Sequence, residues 1–160
     1  MRSPLVIPTP EAPRPVPGYG MPARPALDWS FVAEHMAAAR YYWVNTTGAA
    51  GQPHPAPLWG LWRGDRLHFD GSPETRWARN LLACPAVAVH PPDAENVVII
   101  EGVARPLGDD ELTTAEWAEL DAAYLAKYGA AGSPYWFVEP RLVLAWQGVD
   151  LGTMTRWRFG

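Results

Sequence analysis

The sequence predicts a single α+β domain built around a mostly antiparallel β-barrel. Short β-prone segments separated by turn signals dominate the chain, and only a few helical segments interrupt them. Strands and helices do not alternate in the manner of a parallel sheet, which favours a barrel with helices at its openings. The 160 residues, 48% hydrophobic and 19% charged, have the size and composition of one globular domain.

The N-terminal segment differs in composition from the rest of the chain. Eight of the eighteen prolines lie between Pro4 and Pro25. Their fixed φ angles and missing N–H donors oppose both helix and sheet formation. We therefore expect residues 1–26 to form a proline-rich arm, disordered or wrapped around a partner, and residues 27–160 to form the domain. Removal of residues 1–25 is expected to leave the fold and the function intact.

The first half of the domain is marked by clear starting and turning residues. Asp28 can cap a helix whose apolar residues recur at helical spacing. Prolines 53, 55 and 57 confine the start of the second strand to an edge or a bulge, since each removes a ladder donor. Gly64 and Asp65 are typical of a two-residue hairpin turn. The predicted elements are a helix over 29–40, strands over 41–47, 57–62 and 67–70, and a helix over about 72–84.

The second half is predicted to complete the sheet. The continuous apolar run at residues 97–100 favours a strand buried on both faces. Asp109 or Asp110 can cap the following helix, and Gly129 is a typical stop. The predicted elements are strands over 86–90 and 96–103, a helix over 111–128, and strands over 135–138, 142–146 and 155–159.

The segment from Ser72 to Cys84 is the most informative for function. Ser72 as N-cap and Pro73 at the first helical position predict where the helix begins. At helical spacing, one arc of the helix carries Arg76, Arg79, Asn80 and Ala83. The opposite, mostly apolar arc carries Trp77, Ala78, Leu81, Leu82 and Cys84. A helix N-terminus with two arginines suits a phosphate. The alternative is a solvated face whose arginines pair with Glu74 or another acid, and the spacing does not decide between them.

The nine tryptophans offer a second clue. Trp59 and Trp62 lie on opposite faces of one predicted strand, so both cannot enter the same core layer. One of them could therefore face a cleft and pack against a flat conjugated ligand, or it could lie in the core or at a subunit contact. Trp157, between two arginines, allows the same alternatives.

Composition and motifs exclude several classes of protein. The net charge of −4 and the lack of long basic runs oppose nucleic-acid binding. The single Cys84 rules out an internal disulfide, favours a cytoplasmic setting, and is expected to be a buried inert thiol. No apolar stretch reaches membrane-spanning length. The four histidines lie on separate elements, so no metal site is expected, and the hydrolase, P-loop and dinucleotide fingerprints are missing.

Five segments, in this order, resemble a known family: Tyr42-Trp43-Val44-Asn45-Thr46, residues 51–60, residues 75–81, residues 98–102 and Thr155-Arg156-Trp157-Arg158-Phe159. The chain resembles the flavin and deazaflavin oxidoreductases with the pyridoxamine 5′-phosphate oxidase-like split-barrel fold. The resemblance implies a split barrel and a homodimer with two cofactor clefts between its subunits. The cofactor-binding residues that it implies are Asn45, Thr46, Pro57, Leu58, Trp59, Ser72, Thr75, Arg76, Trp77, Arg79, Asn80 and Trp157.

Two departures from the family pattern bear on activity. Many members have Lys at the position of Trp77, so Arg76 and Arg79 would have to face the cofactor phosphate alone. Pyridoxamine 5′-phosphate oxidases carry an Arg-x-His element near the C-terminus, whereas Arg156-Trp157-Arg158 has no histidine. Vitamin B6 oxidation is therefore not expected.

The resemblance implies an oxidoreductase that holds FMN non-covalently and acts on a small organic substrate. The protein's part would be positioning and electrostatic tuning, since the flavin supplies the chemistry. Two alternatives stay open, namely a reductase using the deazaflavin F420 and a non-catalytic carrier of a flavin or tetrapyrrole. No catalytic acid or base is identified.

Overall fold

The computed structural model describes residues 4–160, and its strands form one antiparallel seven-stranded sheet. The sheet order is β3-β2-β1-β4-β5-β6-β7, and β3 also pairs with β6, which closes a six-stranded barrel with β7 attached beside it. The predicted α+β split barrel is confirmed. The elements are α1 (Trp29–Ala38), β1 (Tyr41–Thr47), β2 (Pro53–Arg63), β3 (Arg66–Asp70), α2 (Arg76–Ala83), β4 (Ala86–His90), β5 (Asn96–Pro106), α3 (Thr114–Tyr128), β6 (Tyr135–Gln147) and β7 (Asp150–Arg158).

Strand β6 is the element at which the sheet divides. Its first residues pair with β3 and its last residues pair with β7, both on the edge opposite to β5. The sequence predicted two separate strands here, over 135–138 and 142–146, and this was wrong, since β6 runs through Pro140. A register shift at Glu101/Gly102 of β5, with Gly102 opposite Pro140, accommodates the proline and lets β6 continue.

The hairpin between β2 and β3 forms as predicted. Gly64 and Asp65 both have a φ of 57°, the left-handed geometry that suits the twist of a two-residue hairpin. The Asp65 carboxylate also accepts a hydrogen bond of 2.9 Å from the indole Nε1 of Trp29, which ties the turn to α1. Helix α1 itself begins after Asp28, whose side chain accepts from the Ser30 amide as predicted.

Several element boundaries differ from the prediction, and the starts of β2, α2 and α3 have a clear physical reason. Strand β2 begins at Pro53, because its prolines 53, 55 and 57 pair only with β1 and leave the other edge open. Helix α2 begins after Thr75 rather than at Ser72. Helix α3 begins after Thr113, whose hydroxyl forms a capping box with Glu116, and not after Asp109 or Asp110. Its end at Gly129, with a φ of 77°, is as predicted.

The core fills the barrel and leaves an apolar stripe outside it. Val98 and Ile100 point inward and are buried, whereas Val97 and Ile99 are only half-buried on the outer face. The expected burial of this run on both faces is therefore wrong for the single chain. Strand β6 continues the outer stripe, since its register places Leu144 beside Ile99, Trp146 beside Val97 and Leu142 beside Glu101.

The proline-rich arm runs along β7 in the part of the chain that the structure describes. The Glu11 amide donates to the Arg156 carbonyl at 2.7 Å, and the Arg24 amide donates to the Gly152 carbonyl at 2.8 Å. The Leu27 amide donates to Thr155 Oγ1 at 2.9 Å. Backbone groups of the arm thus contact the outer edge of β7 at several points. Within residues 4–160, no helix is long and apolar enough to cross a membrane.

Candidate functional site

The connection from β3 to α2 places a tight polar turn before the helix. Ser72 Oγ accepts from the Glu74 amide at 3.2 Å, and the Thr75 amide and hydroxyl both donate to the Ser72 carbonyl. Thr75 Oγ1 in turn accepts from the Ala78 amide, which makes Thr75 the N-cap. The amides of Arg76 and Trp77 lie in the first turn and have no carbonyl partner within the helix. This end of α2 therefore presents donors and the positive end of the helix dipole.

Arg76 and Arg79 lie on the exposed side of α2, as the helical spacing predicted. Neither guanidinium pairs with a carboxylate among residues 4–160, so the pairing with Glu74 that the sequence left open does not occur there. The opposite arc carries the buried Trp77, Ala78 and Leu81. Two cations are thus free to meet an anion at the start of α2.

Asn80 joins α2 to the barrel. Its Nδ2 donates to Thr46 Oγ1 at 3.0 Å, and the Thr46 hydroxyl donates to the His54 carbonyl. Thr46 is 3% exposed, so this chain of hydrogen bonds fixes the helix against β1 and β2 from inside. Asn80 and Thr46, two of the predicted site residues, are therefore brought together and position the start of α2.

The outer face of the sheet beside α2 is formed by β2, β1 and β4. Trp43 of β1 lies between Pro57 of β2 and His90 of β4, and Asn45 donates from Nδ2 to the Ala88 carbonyl at 2.9 Å. Pro57 is exposed and Trp43 is half-buried. Asn45 and Thr46 therefore point to opposite sides of the sheet, one toward the outer face and one toward the core.

Trp59 continues this face toward the C-terminal end of α3. Its ring is 39% exposed and stacks on Tyr128, with centroids 4.5 Å apart and an interplanar angle of 2°. Trp62 packs against the core instead, so the two tryptophans separate as their spacing predicted. Leu58, the residue before Trp59, is half-buried against the core. The exposed face of Trp59 is a flat apolar surface beside the prolines of β2.

Two predicted ligand-contacting side chains lie in the core. Trp77 is 4% exposed and packs edge-on against Phe69 and Trp136, each at 5.4 Å. Trp157 of β7 is 1% exposed and packs against Trp29 of α1. In the single chain, both rings are packed in the core and are not exposed to a ligand. Only the backbone of Trp77 lies at the start of α2.

Cys84 is exposed, which corrects the expectation of a buried thiol. Helix α2 ends at Ala83, and the extended backbone of Cys84, with a φ of −141°, turns the chain toward β4. Cys84 therefore lies outside the helix, and the helical spacing does not predict where its side chain points. Leu82, on the same predicted apolar arc, is 61% exposed.

Asp70 lies immediately before the turn that leads to α2. Burial raises the pKa of its carboxyl, and hydrogen bonds from the Ser133 amide and the Tyr124 hydroxyl partly offset this rise. The Gly71 amide donates to the Pro134 carbonyl at 3.3 Å. The loop after α3 therefore hydrogen-bonds to the residues that precede the turn before α2.

The sequence analysis missed the cluster at the end of α3. Lys127 Nζ donates to the Gly60 carbonyl at 2.7 Å and to Tyr42 Oη at 3.3 Å. Tyr128 Oη also contacts the Gly60 carbonyl, at 2.8 Å, so two residues of α3 hold the β2 segment that carries Trp59. More than sixty residues separate the partners along the chain, and no local pattern signals such a contact.

Comparison with known proteins agrees with this architecture. Residues 31–146 match the family model described as pyridoxamine 5′-phosphate oxidase. No curated protein matches the chain. With a split barrel, a polar turn at a helix start and this match over more than half of the chain, the protein belongs to the pyridoxamine 5′-phosphate oxidase-like family.

Solved structures with the same fold carry different printed descriptions. The conserved hypothetical protein Rv2991 from Mycobacterium tuberculosis is 18% identical, with a TM-score of 0.64 over 79% of this chain and 88% of that one. A heme binding protein from Mycobacterium smegmatis is 26% identical, with a TM-score of 0.64 over 85% of this chain and 59% of that one. An FAD binding protein from Mycobacterium smegmatis is 18% identical, with a TM-score of 0.52 over 83% of this chain and 98% of that one.

Proposed function

We propose that this protein binds FMN non-covalently at the start of α2 and works as an oxidoreductase on a small organic substrate. The observation that carries the proposal is the pair of exposed guanidinium groups, Arg76 and Arg79, beside the donor-rich first turn of α2. No carboxylate of residues 4–160 neutralises them. A phosphate monoester fits such a site, because helix N–H groups and arginines both favour a dianion.

The face of β1 and β2 suits the flat part of the cofactor. Pro57 and the exposed ring of Trp59 offer an apolar surface, and Trp43 extends it across β1. Ser72 and Thr75 shape the turn, while Thr46 and Asn80 hold the helix at a fixed distance from the sheet. These residues bind and orient, and a bound flavin supplies hydride and electron transfer.

The outer stripe of β5 and β6 supports a homodimer. Val97, Ile99, Leu144 and Trp146 form a continuous apolar row on the outside of the barrel, and all four are only half-buried in the single chain. We infer that a second copy of the chain covers this row, because its self-complementary apolar character suits a two-fold contact. In this arrangement the cofactor would lie in a cleft between two subunits.

A carrier of a tetrapyrrole is the second candidate. The similarity to the heme binding protein at 26% identity favours it. His90 lies on the same outer face as Trp43, with its Nδ1 2.8 Å from the Pro91 carbonyl, and its Nε2 would bind the heme iron. This candidate requires no turnover, so it differs from the first in both ligand and activity.

The test is to identify what the purified protein carries and binds. The visible spectrum and the mass of the heat-released ligand are measured first, followed by titrations with FMN, F420 and hemin. The proposal expects FMN to bind most tightly and to turn over when a reductant is supplied. Preferential binding of F420 would move the protein to the deazaflavin reductases. Hemin binding that is lost in His90→Ala, without turnover, would establish the carrier instead.

A further inference from the structure

A second basic pocket lies between the proline-rich arm and the outer face of β7. It is a concave space of about 410 Å³, and its wall includes Arg14 of the arm together with Arg156 and Arg158 of β7. The backbone bond from Glu11 to Arg156 fixes the arm at this position. The pocket is thus built from two segments that are more than 130 residues apart in the chain.

The charge of the pocket is unbalanced. Glu11 is the single acidic residue in its wall, and its carboxylate pairs with Arg158 Nε at 2.5 Å. Arg14 and Arg156 meet no carboxylate among residues 4–160, and the Arg156 side chain donates from Nη2 to the sulfur of Met154. Three guanidinium groups against one carboxylate leave two positive charges in a protein whose net charge is −4. Such a local excess attracts anions.

The remainder of the wall is apolar. Val16 and the prolines on either side of it come from the arm, and Met154 comes from β7. Proline and valine give a rigid apolar surface, and a methionine side chain adapts to a flat group. A wall of this composition suits a molecule that has an apolar body as well as an anionic group.

We propose that the pocket between the arm and β7 binds a small aromatic or aliphatic anion, with Arg14 and Arg156 holding its phosphate or carboxylate. The apolar body lies against Val16 and Met154. The site is separate from the start of α2, since its wall contains no residue of α2 or of the turn before it. Its occupation does not depend on which cofactor the protein uses.

Phenyl phosphate is the probe, because it combines a dianion with a flat ring. It is titrated calorimetrically into the full chain and into Arg14→Gln and Arg156→Gln. Each substitution removes one charge-assisted contact, so the affinity is expected to fall by about 10-fold or more. Glu11→Gln removes the competing carboxylate and is expected to raise the affinity, a change that loss of folding could not produce.

Two variants serve as controls. Arg24→Gln removes an arm arginine that pairs with Asp150 outside the pocket, and it is expected to leave the affinity within about 2-fold. Because a phosphate monoester also suits the start of α2, each titration is repeated in the Arg76→Gln/Arg79→Gln background, where binding at the arm pocket should persist. The proposal is overturned if phenyl phosphate does not bind saturably. Equal affinity in Arg14→Gln and Arg156→Gln overturns it too, as does loss of binding in the α2 double variant. None of these outcomes decides whether FMN binds at α2.

Discussion

Gly102 is a single residue on which the shape of the barrel depends. A Cβ atom at this position would lie 2.1 Å from the Glu139 carbonyl oxygen of β6, far inside contact distance. The close approach occurs where β5 changes register opposite Pro140. The backbone of β6 is held on either side of this point, since residues 135–137 pair with β3 and residues from 142 onward pair with β7. A glycine in the middle of a strand therefore marks a close approach of two backbones.

Gly102→Ala is expected to destabilise the fold by more than about 2 kcal/mol, because relief of the clash requires a backbone shift. Chemical denaturation measures the change. Gly108→Ala is the matched control, since the atoms nearest to its added Cβ belong to the flexible side chains of Asp110 and Glu111. The control should stay within about 0.5 kcal/mol of wild type. A similar effect for both variants would show that β5 and β6 are not in this close register.

Lys127 carries a partly buried charge that holds the β2 segment next to Trp59. Burial, and to a smaller extent the nearby Arg40, lower the pKa of its ammonium to about 8. Between pH 8 and the ordinary lysine range, the unfolded chain therefore binds more protons at this residue than the folded chain does. The contribution of Lys127 to the free energy of unfolding must rise with pH over this window.

Lys127→Met tests whether the contribution of Lys127 to the free energy of unfolding rises with pH. The stability of wild type relative to Lys127→Met is expected to increase from pH 7 to pH 10, as measured by urea denaturation at several pH values. The comparison cancels the other titrating groups to first order. A stability difference that stays constant or falls with rising pH would mean that the folded state does not disfavour the charged ammonium.

At the residue scale, local spacing predicted some of the site and could not predict the rest. The exposed pair Arg76 and Arg79 follows from helical periodicity alone. The burial of Trp77 does not, because it depends on Phe69 and Trp136, which reach it only when the barrel closes. The bond from Asn80 to Thr46 is likewise a tertiary contact between residues 34 positions apart.

At the scale of elements, the start of α1 was predicted correctly, whereas the starts of α2 and α3 were not. Both Ser72 and Thr75 are good N-caps, and a following proline favours Ser72. The structure uses both: Ser72 organises the turn and Thr75 caps the helix. The strands of the hairpin were predictable, because Gly64 and Asp65 determine their register. The continuity of β6 was not, since it depends on the bulge in a different strand.

Deletion of the arm tests separately what it contributes to the fold and what it contributes to the pocket beside β7. Deletion of residues 1–25 takes away the contacts of Glu11 and Arg24 with β7, yet leaves the barrel pairing complete. We expect the truncated protein to fold and to take up the cofactor, with a modest loss of stability, and to lose binding of phenyl phosphate at the pocket between the arm and β7. Circular dichroism, thermal melting and calorimetry check the three parts. An insoluble product, or loss of cofactor uptake, would show that the arm is integral to the domain.

At the scale of the whole molecule, the apolar stripe on β5 and β6 consists of large side chains that the core of a single chain leaves only half-buried. Leu144 lies near its centre, between Ile99 of β5 and Arg156 of β7. A charged residue at this position would oppose burial against a second subunit. The stripe links the fold to the proposed cleft, because a cleft between subunits requires the dimer.

Leu144→Glu is expected to convert the protein from a dimer to a monomer, as measured by light scattering at micromolar concentration. Leu125→Glu is the control, since Leu125 is 55% exposed on α3 and away from the stripe. It should leave the dimer intact. If the wild type is itself a monomer, or if both variants remain dimeric, the stripe is not the subunit contact.

The phosphate site at the start of α2 is tested most directly by comparing FMN with riboflavin, which differ only by the phosphate. Calorimetric titration of wild type is expected to show much tighter binding of FMN, and Arg79→Ala should weaken FMN binding by about 10- to 150-fold, the loss of one charge-assisted contact of roughly 1.5 to 3 kcal/mol. Riboflavin affinity should not change, and neither should FMN affinity in Arg63→Ala, whose guanidinium pairs with Glu119 at the hairpin. Equal FMN affinity in wild type and Arg79→Ala, with both proteins folded, would contradict the assignment of the cofactor phosphate to α2.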